Sequence, residues 1–384
     1  MSNYNPILLF GGGLQVLAVA RDLRQIDHQV DVVGADITIS RFSRYVRTCV
    51  KIDMDHLSID AFVEIVREGG YRVIIPMEDE YAQWLSHNKK NIESLTSAKC
   101  AVMDVEPYTI ASDKGQLLAF CSERNIPHPR TAPITSSYRE IVSYVGFPAL
   151  IKPIHSAGSR GIKRVDNLEE LQVEAPKIIA EFGACSLQEY IENDHYYNVM
   201  LYRKHDGTWG NHTITRISRY YPIKGGSSSF CETIEQTELL EICKRLLDEL
   251  RWVGFADFDV LEKAPGDYRI IEINPRIPAS VRAASISGVN FGAMIVADLM
   301  GKPLPQYNYI VGRQLRCLGL DLAWFVSSPQ RFQVTPSWFK FMGKNLYYQE
   351  GGIHDVLAML ASLCVGVKKF LSPSFRKKKM GMNC

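Results

Sequence analysis

Short, nearly unbroken apolar runs recur through the first hundred residues: PILLF at 6–10, QVDVV at 29–33 and RVIIP at 72–76. Between the first two lies LQVLAVARDLRQI, with apolar positions at helical spacing. Strands that are apolar throughout, alternating with helices, predict a parallel sheet covered on both faces. Residues 1–104 are therefore expected to form a small doubly wound α/β domain. Gly11, Gly12 and Gly13 close the first strand but lack the GxGxxG spacing that lets backbone approach a pyrophosphate. A tight turn opening a helix is the preferred reading, and an NAD-binding enzyme the disfavoured one. PMEDEY falls at the carboxyl end of a strand, where such sheets place ligands, making Glu78, with Asp79 and Glu80, a candidate substrate contact; acids at a helix N-terminus share the pattern.

Beyond residue 104 the texture changes to α+β. A helix is expected to start at Ser112 or Asp113 and to end before NIPHP. FPALIKPIHSAGSRGIKRV reads as strand, glycine-rich loop and strand. A polar helix through DNLEELQVEAPKIIAEF, the strand CSLQEYI, short strands to about 218 and the helix TELLEICKRLLDELR follow. Residues 311–384 carry aromatics with weak periodicity.

FADFDVL and YRIIEIN alternate on either side of Ala-Pro-Gly-Asp, a sequence that favours a tight reversal between two strands. Pairing Ala264 with Asp267 sets Asp259 opposite Glu272 and Asp257 opposite Asn274. Alternation then puts these four on one face and Ala256, Phe258, Val260, Ile271 and Ile273 on the other. Like charges across a ladder repel, and a hard divalent cation with oxygen ligands offsets them; Asp, Glu and Asn suit Mg2+ far better than zinc. A solvated polar face is the ordinary alternative for an isolated hairpin. A second feature accompanies this one: Ser156, Ala157, Gly158, Ser159 and Gly161 let a loop close over phosphate oxygens, and Lys152 on the preceding strand can reach a phosphate as a point charge. No GK[ST] ending follows, so this is not a Walker loop.

Composition narrows the class. With 46% hydrophobic and 22% charged residues the chain reads as a globular protein. A net charge of +2 argues against a large nucleic-acid surface, and residues 368–384 hold six Lys or Arg and no acid, leaving the rest of the chain net negative. Nine cysteines without CxxC or Cys/His clusters indicate neither a zinc site nor a disulfide framework, and the expected location is the reducing cytoplasm. VLAMLASLCVGV at 356–367 is too short to span a bilayer. With the basic run after it, this segment reads as a capping helix with a solvated end, membrane-surface contact being the less favoured role.

The order of Lys114, Lys152 with SAGSRG, LQEYI, DFDVL and IEINPRI resembles the ATP-grasp superfamily, in its carboxylate-amine ligase branch, over roughly residues 1–310. That fold group takes in D-alanine ligases, biotin carboxylases and carbamoyl-phosphate synthase large subunits. The resemblance implies an α/β domain at 1–104, a small ATP-grasp lobe at 105–185, a large lobe at 186–310 and a C-terminal extension at 311–384. It implies ATP and Mg2+, or Mn2+ in its place. Lys114 and Lys152 would contact the nucleotide phosphates, and Ser156, Gly158, Ser159 and Gly161 would belong to the lid over them. Gln188 or Glu189 and the backbone near Ile191 would read the adenine edge, and Asp194 or His195 the ribose. Asp259, Glu272 and Asn274 match the metal ligands, with Asp257 beside them; Arg276 matches the arginine that steadies the phosphorylated intermediate, so Arg276 and Lys152 are the catalytic candidates. RISRYYPIKGGSSS resembles a mobile substrate loop in which Arg216 or Arg219 holds a carboxylate and Gly225 and Gly226 give flexibility. The implied activity is ATP-dependent ligation of a small-molecule carboxylate to an amine, an ATP-binding regulatory protein without turnover being the alternative. A homo-oligomer is compatible with both.

Overall fold

The computed structural model describes residues 6–371 apart from 136, 155–160, 193–194, 224–225 and 353, with the side chains of 369–371 also outside the description. Along the N-terminal hundred residues run β1 (Ile7–Phe10), α1 (Leu14–Arg24), β2 (Val30–Gly34), β3 (Thr48–Lys51), α2 (Ile59–Gly69), β4 (Val73–Pro76), α3 (Asp79–Leu95) and β5 (Lys99–Cys100). The strands form one parallel sheet in the order β3-β2-β1-β4-β5. Every residue of β1, β2 and β4 is buried, the outcome expected of runs with no polar alternation.

A four-stranded antiparallel sheet follows. Its elements are α4 (Val105–Ser112), α5 (Lys114–Glu123), β6 (Thr131–Pro133), α6 (Tyr138–Val145), β7 (Ala149–Pro153), β8 (Lys163–Val165), α7 (Leu168–Phe182) and β9 (Cys185–Glu189), with strand order β6-β9-β7-β8. Asp113 caps α5 by accepting from the Gln116 amide, one of the two caps the sequence allowed. Ala149, Ile151 and Leu187 pack one face of this sheet against α6 and α7. Leu150, Lys152, Ser186 and Gln188 therefore lie on the other.

The third sheet has seven strands. β10 (Tyr196–Arg203), β11 (Trp209–Tyr221), β12 (Ser227–Ile234), α8 (Thr237–Glu249), β13 (Gly254–Ala264), β14 (Asp267–Asn274), α9 (Arg282–Ile286), α10 (Phe291–Leu299), β15 (Gln314–Arg316), α11 (Leu318–Ser327), β16 (Leu346–Tyr348) and α12 (Val356–Leu371) complete the chain. The strand order is β14-β13-β10-β11-β12-β15-β16, so β15 and β16, from the stretch with weak periodicity, extend this sheet. Tyr197, Val199, Phe258, Val260, Ile270 and Ile273 pack one face onto α5 and α8 in the main core. On the other face Met200, Tyr202 and Phe255 meet α1 and α10.

Because α1 is covered by its own sheet on one side and by α9 and α10 on the other, polar residues on it are trapped. Asp22 is 6% exposed and accepts from the Ser285 hydroxyl on α9 at 2.5 Å. Burial pushes its carboxyl up to about 6, against the pull of Ser285, Arg282 and Arg21. A folded-state value above the unfolded one means that ionisation opposes folding, so stability falls as pH rises from about 4 to about 6. Asp22→Asn is expected to flatten this limb and to add about 1–3 kcal/mol at neutral pH, measured by urea unfolding across that range.

Candidate functional site

The β13–β14 hairpin carries the pairing expected at its polar end: Asp257 opposite Asn274 and Asp259 opposite Glu272. The ladder between there and the turn is not continuous. One shift follows Asp259, leaving Ile271 as an extra residue on β14, and a second leaves Lys263 extra on β13, so the two cancel. Ile271, expected on the apolar face, is consequently only half-buried, and Ile270 takes the core position. Asn198, in the neighbouring β10, lies opposite Asp259 and carries this polar patch onto a third strand.

Asp257 is 1% exposed. Asn198 Nδ2 donates to its Oδ1 at 2.5 Å and also approaches Asp259 Oδ1 at 3.3 Å, while Asn274 Nδ2 donates to Asp257 Oδ2 at 3.2 Å. Burial raises both carboxyls above the usual range. The Asp259 charge raises Asp257 further, and the Glu272 charge raises Asp259; Asn198, the Tyr196 hydroxyl at Asp259, and Arg276 offset only part of this. Lys114 Nζ supplies positive charge, 3.0 Å from Glu272 Oε2. Among the described residues no group of three or more His, Cys, Asp or Glu is arranged to enclose a metal. Two carboxylates and the Asn274 amide make a partial set of hard oxygen donors, which suits a cation that takes its other ligands from phosphate and water. The Lys114 ammonium already occupies the role of that cation at Glu272, so the donor set fits Mg2+.

Arg276 is tied elsewhere. Its Nε and Nη2 grip Asp79 at 2.8 and 3.2 Å, and Nη2 is 3.4 Å from Asn274 Oδ1. Asp79 opens α3, so the PMEDE segment reaches the site through the residue after Glu78. Glu78 itself accepts from the Gly12 amide at 3.3 Å, closing the glycine turn against the carboxyl edge of the parallel sheet.

On the small sheet, Lys152 Nζ donates to Gln188 Oε1, and Gln188 Nε2 donates to Thr131 Oγ1 at 3.1 Å. Glu189 points to the opposite face and is held by Arg130 at 3.3 Å and Lys263 at 2.6 Å. Burial raises its carboxyl, and these hydrogen bonds reverse the effect and leave it below the usual range. Of the two adenine-edge candidates, Gln188 therefore shares the Lys152 face and Glu189 does not. Ile191 is buried just beyond, and His195 is exposed. Gly161 adopts φ +72, and a Cβ there would lie 2.8 Å from Pro153 Cγ, so the loop returns into β8 through a position only glycine fits. Ser156, Gly158, Ser159, Asp194 and Gly225 lie outside the described residues.

The substrate-loop expectations need correction. Arg219 is buried; its Nε donates to Asp321 Oδ1 at 2.7 Å and its Nη2 to Oδ2 at 3.3 Å, while Arg316 Nε lies 2.6 Å from the same carboxylate. It is sequestered in a buried ion triad. Arg216 pairs across β11 with Tyr197 and Glu232, and therefore sits on the sheet face opposite Asn198 and Asp259. Gly226 is needed for close approach, since a Cβ there would fall 2.3 Å from Tyr221 O at the end of β11.

Residues the sequence did not single out complete the surroundings. Ser280 Oγ donates to Asn198 Oδ1 at 3.3 Å, and two residues on stands Arg282. Arg282 is half-buried beside Arg21 of α1. Burial and that neighbouring charge push its guanidinium down to about 10, and Tyr45 and Tyr347 lie close by. Arg282 Nε and Arg21 Nη1 are buried with no hydrogen-bond partner among the described residues. Spacing gave no hint of this, because the pair is assembled from positions more than two hundred residues apart.

Residues 111–280 match the family model for the ATP-grasp domain, and this part of the chain is an ATP-grasp domain. A D-alanine–D-alanine ligase from Acinetobacter baylyi is 24% identical over 182 residues, covering 43% of this chain and 57% of that protein. An acetyl-CoA carboxylase from Dictyostelium discoideum is 26% identical over 185 residues, which is 46% of this chain and only 8% of the carboxylase. The biotin carboxylase domain of Hydrogenobacter thermophilus 2-oxoglutarate carboxylase, solved with MgADP and bicarbonate, superposes with a TM-score of 0.66 at 18% identity, covering 80% of this chain and 72% of that domain. The fold is thus that of the ATP-grasp superfamily: an α/β domain with a parallel sheet, followed by two lobes whose sheets are antiparallel apart from the β15–β16 pair.

A buried triad and a substrate anchor fail differently. Arg219→Ala leaves Asp321 buried with one fewer partner and is expected to lower unfolding stability by about 3–5 kcal/mol in denaturant titration. Substrate affinities of the fraction that remains folded should not change.

Proposed function

We propose that this protein is an ATP-dependent carboxylate-amine ligase. The observation that carries the reading is the crowding of buried carboxylates at the polar end of β13 and β14, short of positive charge and already drawing in Lys114. Asp259, Glu272 and Asn274 would hold Mg2+, and Lys152, with Gln188 on its sheet face, would hold the nucleotide.

Activation is needed because a carboxylate has no leaving group better than oxide. Bound Mg-ATP supplies an electrophilic γ-phosphorus; attack by a substrate carboxylate gives an acyl phosphate and ADP, and an amine then displaces phosphate to form an amide. The contribution of this chain is to position the reactants and balance charge. Lys114, now 3.0 Å from Glu272, would be free to contact phosphate were Mg2+ held at that carboxylate. Arg276, with two donors in a fixed fork, can exchange the Asp79 carboxylate for a phosphoryl group of similar geometry.

Arg282 and Arg21 would take the acid end of one substrate, because unpaired buried guanidinium donors call for an anion and Ser280 ties this segment to Asn198 at the metal site. That role replaces the one expected of Arg216 or Arg219.

Glu272→Gln keeps the shape of the side chain and removes its charge. ADP release against a panel of carboxylates and amines is expected to fall by at least about a hundredfold with an unchanged melting temperature, and retained turnover would overturn the metal assignment. Arg282→Ala is expected to raise KM for the carboxylate about 10- to 100-fold while leaving KM for ATP in place; equal changes in both would count against the anion site.

A further inference from the structure

Exposed apolar side chains are concentrated near the C-terminus. Of the nineteen large ones exposed among the described residues, ten fall between residues 318 and 371. On α12, Leu357, Leu360, Cys364 and Val367 follow helical spacing along one exposed stripe, while Ala358 and Ser362 face inward. α12 packs on α11, where Leu322 and Val326 are exposed one turn apart. From α11 the surface runs into the 332–342 loop through Phe325, whose ring meets Phe332 and stacks on Trp338 at 4.1 Å. Phe332 and Met342 on this loop are 74% and 88% exposed. Exposed apolar side chains gathered on elements that pack together mark a contact site.

Charge identifies what the surface contacts. Three acids occur from residue 318 onward, and all are buried and internally paired. Asp321 holds Arg219 and Arg316, Glu350 accepts from the Gly319 amide, and Asp355 accepts from the Ser43 hydroxyl and the Arg44 amide. Lys340, Lys344 and Lys368 are exposed, and the sequence continues with Lys369 and Arg376–Lys379 without another acid. The exposed face is therefore apolar and uniformly positive. A two-fold contact with a second copy would set the same lysines against one another, whereas an anionic lipid surface offers hydrocarbon to the Leu, Phe and Met side chains and phosphate to the lysines. Among the described residues no single helix is long and apolar enough to cross a membrane.

We propose that α11, the 332–342 loop and α12 dock this protein onto an anionic membrane surface. The inference is independent of the ligase reading, since none of these residues belongs to the candidate active site. Flotation of the full chain with phosphatidylcholine vesicles containing about a third phosphatidylglycerol tests it, and binding is expected to be at least about tenfold weaker on pure phosphatidylcholine or in high salt. The double substitution Leu357→Glu and Leu360→Glu should lower binding to anionic vesicles by about tenfold, with the melting temperature unchanged. No partition onto anionic vesicles, equal partition onto neutral ones, or full binding by the double variant would each overturn the proposal. So would a concentration-dependent doubling of mass that the same substitutions abolish, which would make the face a self-association surface.

Discussion

Three carboxylates gathered on two adjacent strands are an electrostatic liability that the rest of the molecule is arranged to offset. Asp257 is removed from water and Asp259 beside it is half-buried, and a buried charge without a partner is among the most destabilising features a fold can hold. Each of the three folded parts sends something to this patch. The large sheet provides Asn198, Tyr196 and Arg276; the segment leading into the small sheet provides Lys114; the parallel-sheet domain provides Asp79, which orients Arg276. None of these contacts neutralises the patch completely, and the remaining deficit of positive charge is what the proposed Mg2+ would offset.

How much of this was legible in the sequence depended on the range over which each feature is encoded. The apolar runs of β1, β2 and β4 and the hairpin turn at Pro265-Gly266 are local, and both were read correctly. The facing pairs Asp259/Glu272 and Asp257/Asn274 follow from one turn and the alternation of a strand, although two compensating bulges lay hidden between them. Asn198 could not be placed because it depends on β10 pairing with β13, a contact across about sixty residues that alternation alone does not specify. Arg219 shows the converse failure. The resemblance of RISRYYPIKGGSSS to a mobile substrate loop implies a substrate contact there, whereas Asp321, a hundred residues on, holds Arg219 in the interior.

Arg219 and Arg282 also separate two fates of a buried guanidinium. The first has its charge answered by a carboxylate that it shares with Arg316, a closed arrangement with no capacity to bind anything else. The second lies beside another arginine, with donors still open among the described residues and with Asp22 offsetting part of its charge. The contrast is between a group that holds elements together and one able to receive a ligand.

The paired offsets in the β13–β14 ladder constrain how this hairpin can change length. Losing Ile271 or Lys263 alone would close one bulge and leave the pairs on either side of it, Asp259 opposite Glu272 included, as they are. Losing both would give an uninterrupted ladder with Asp259 still opposite Glu272. The two unpaired positions are thus where this arm can lose a residue with its carboxylates still facing one another, whereas a deletion inside a paired segment would shift them.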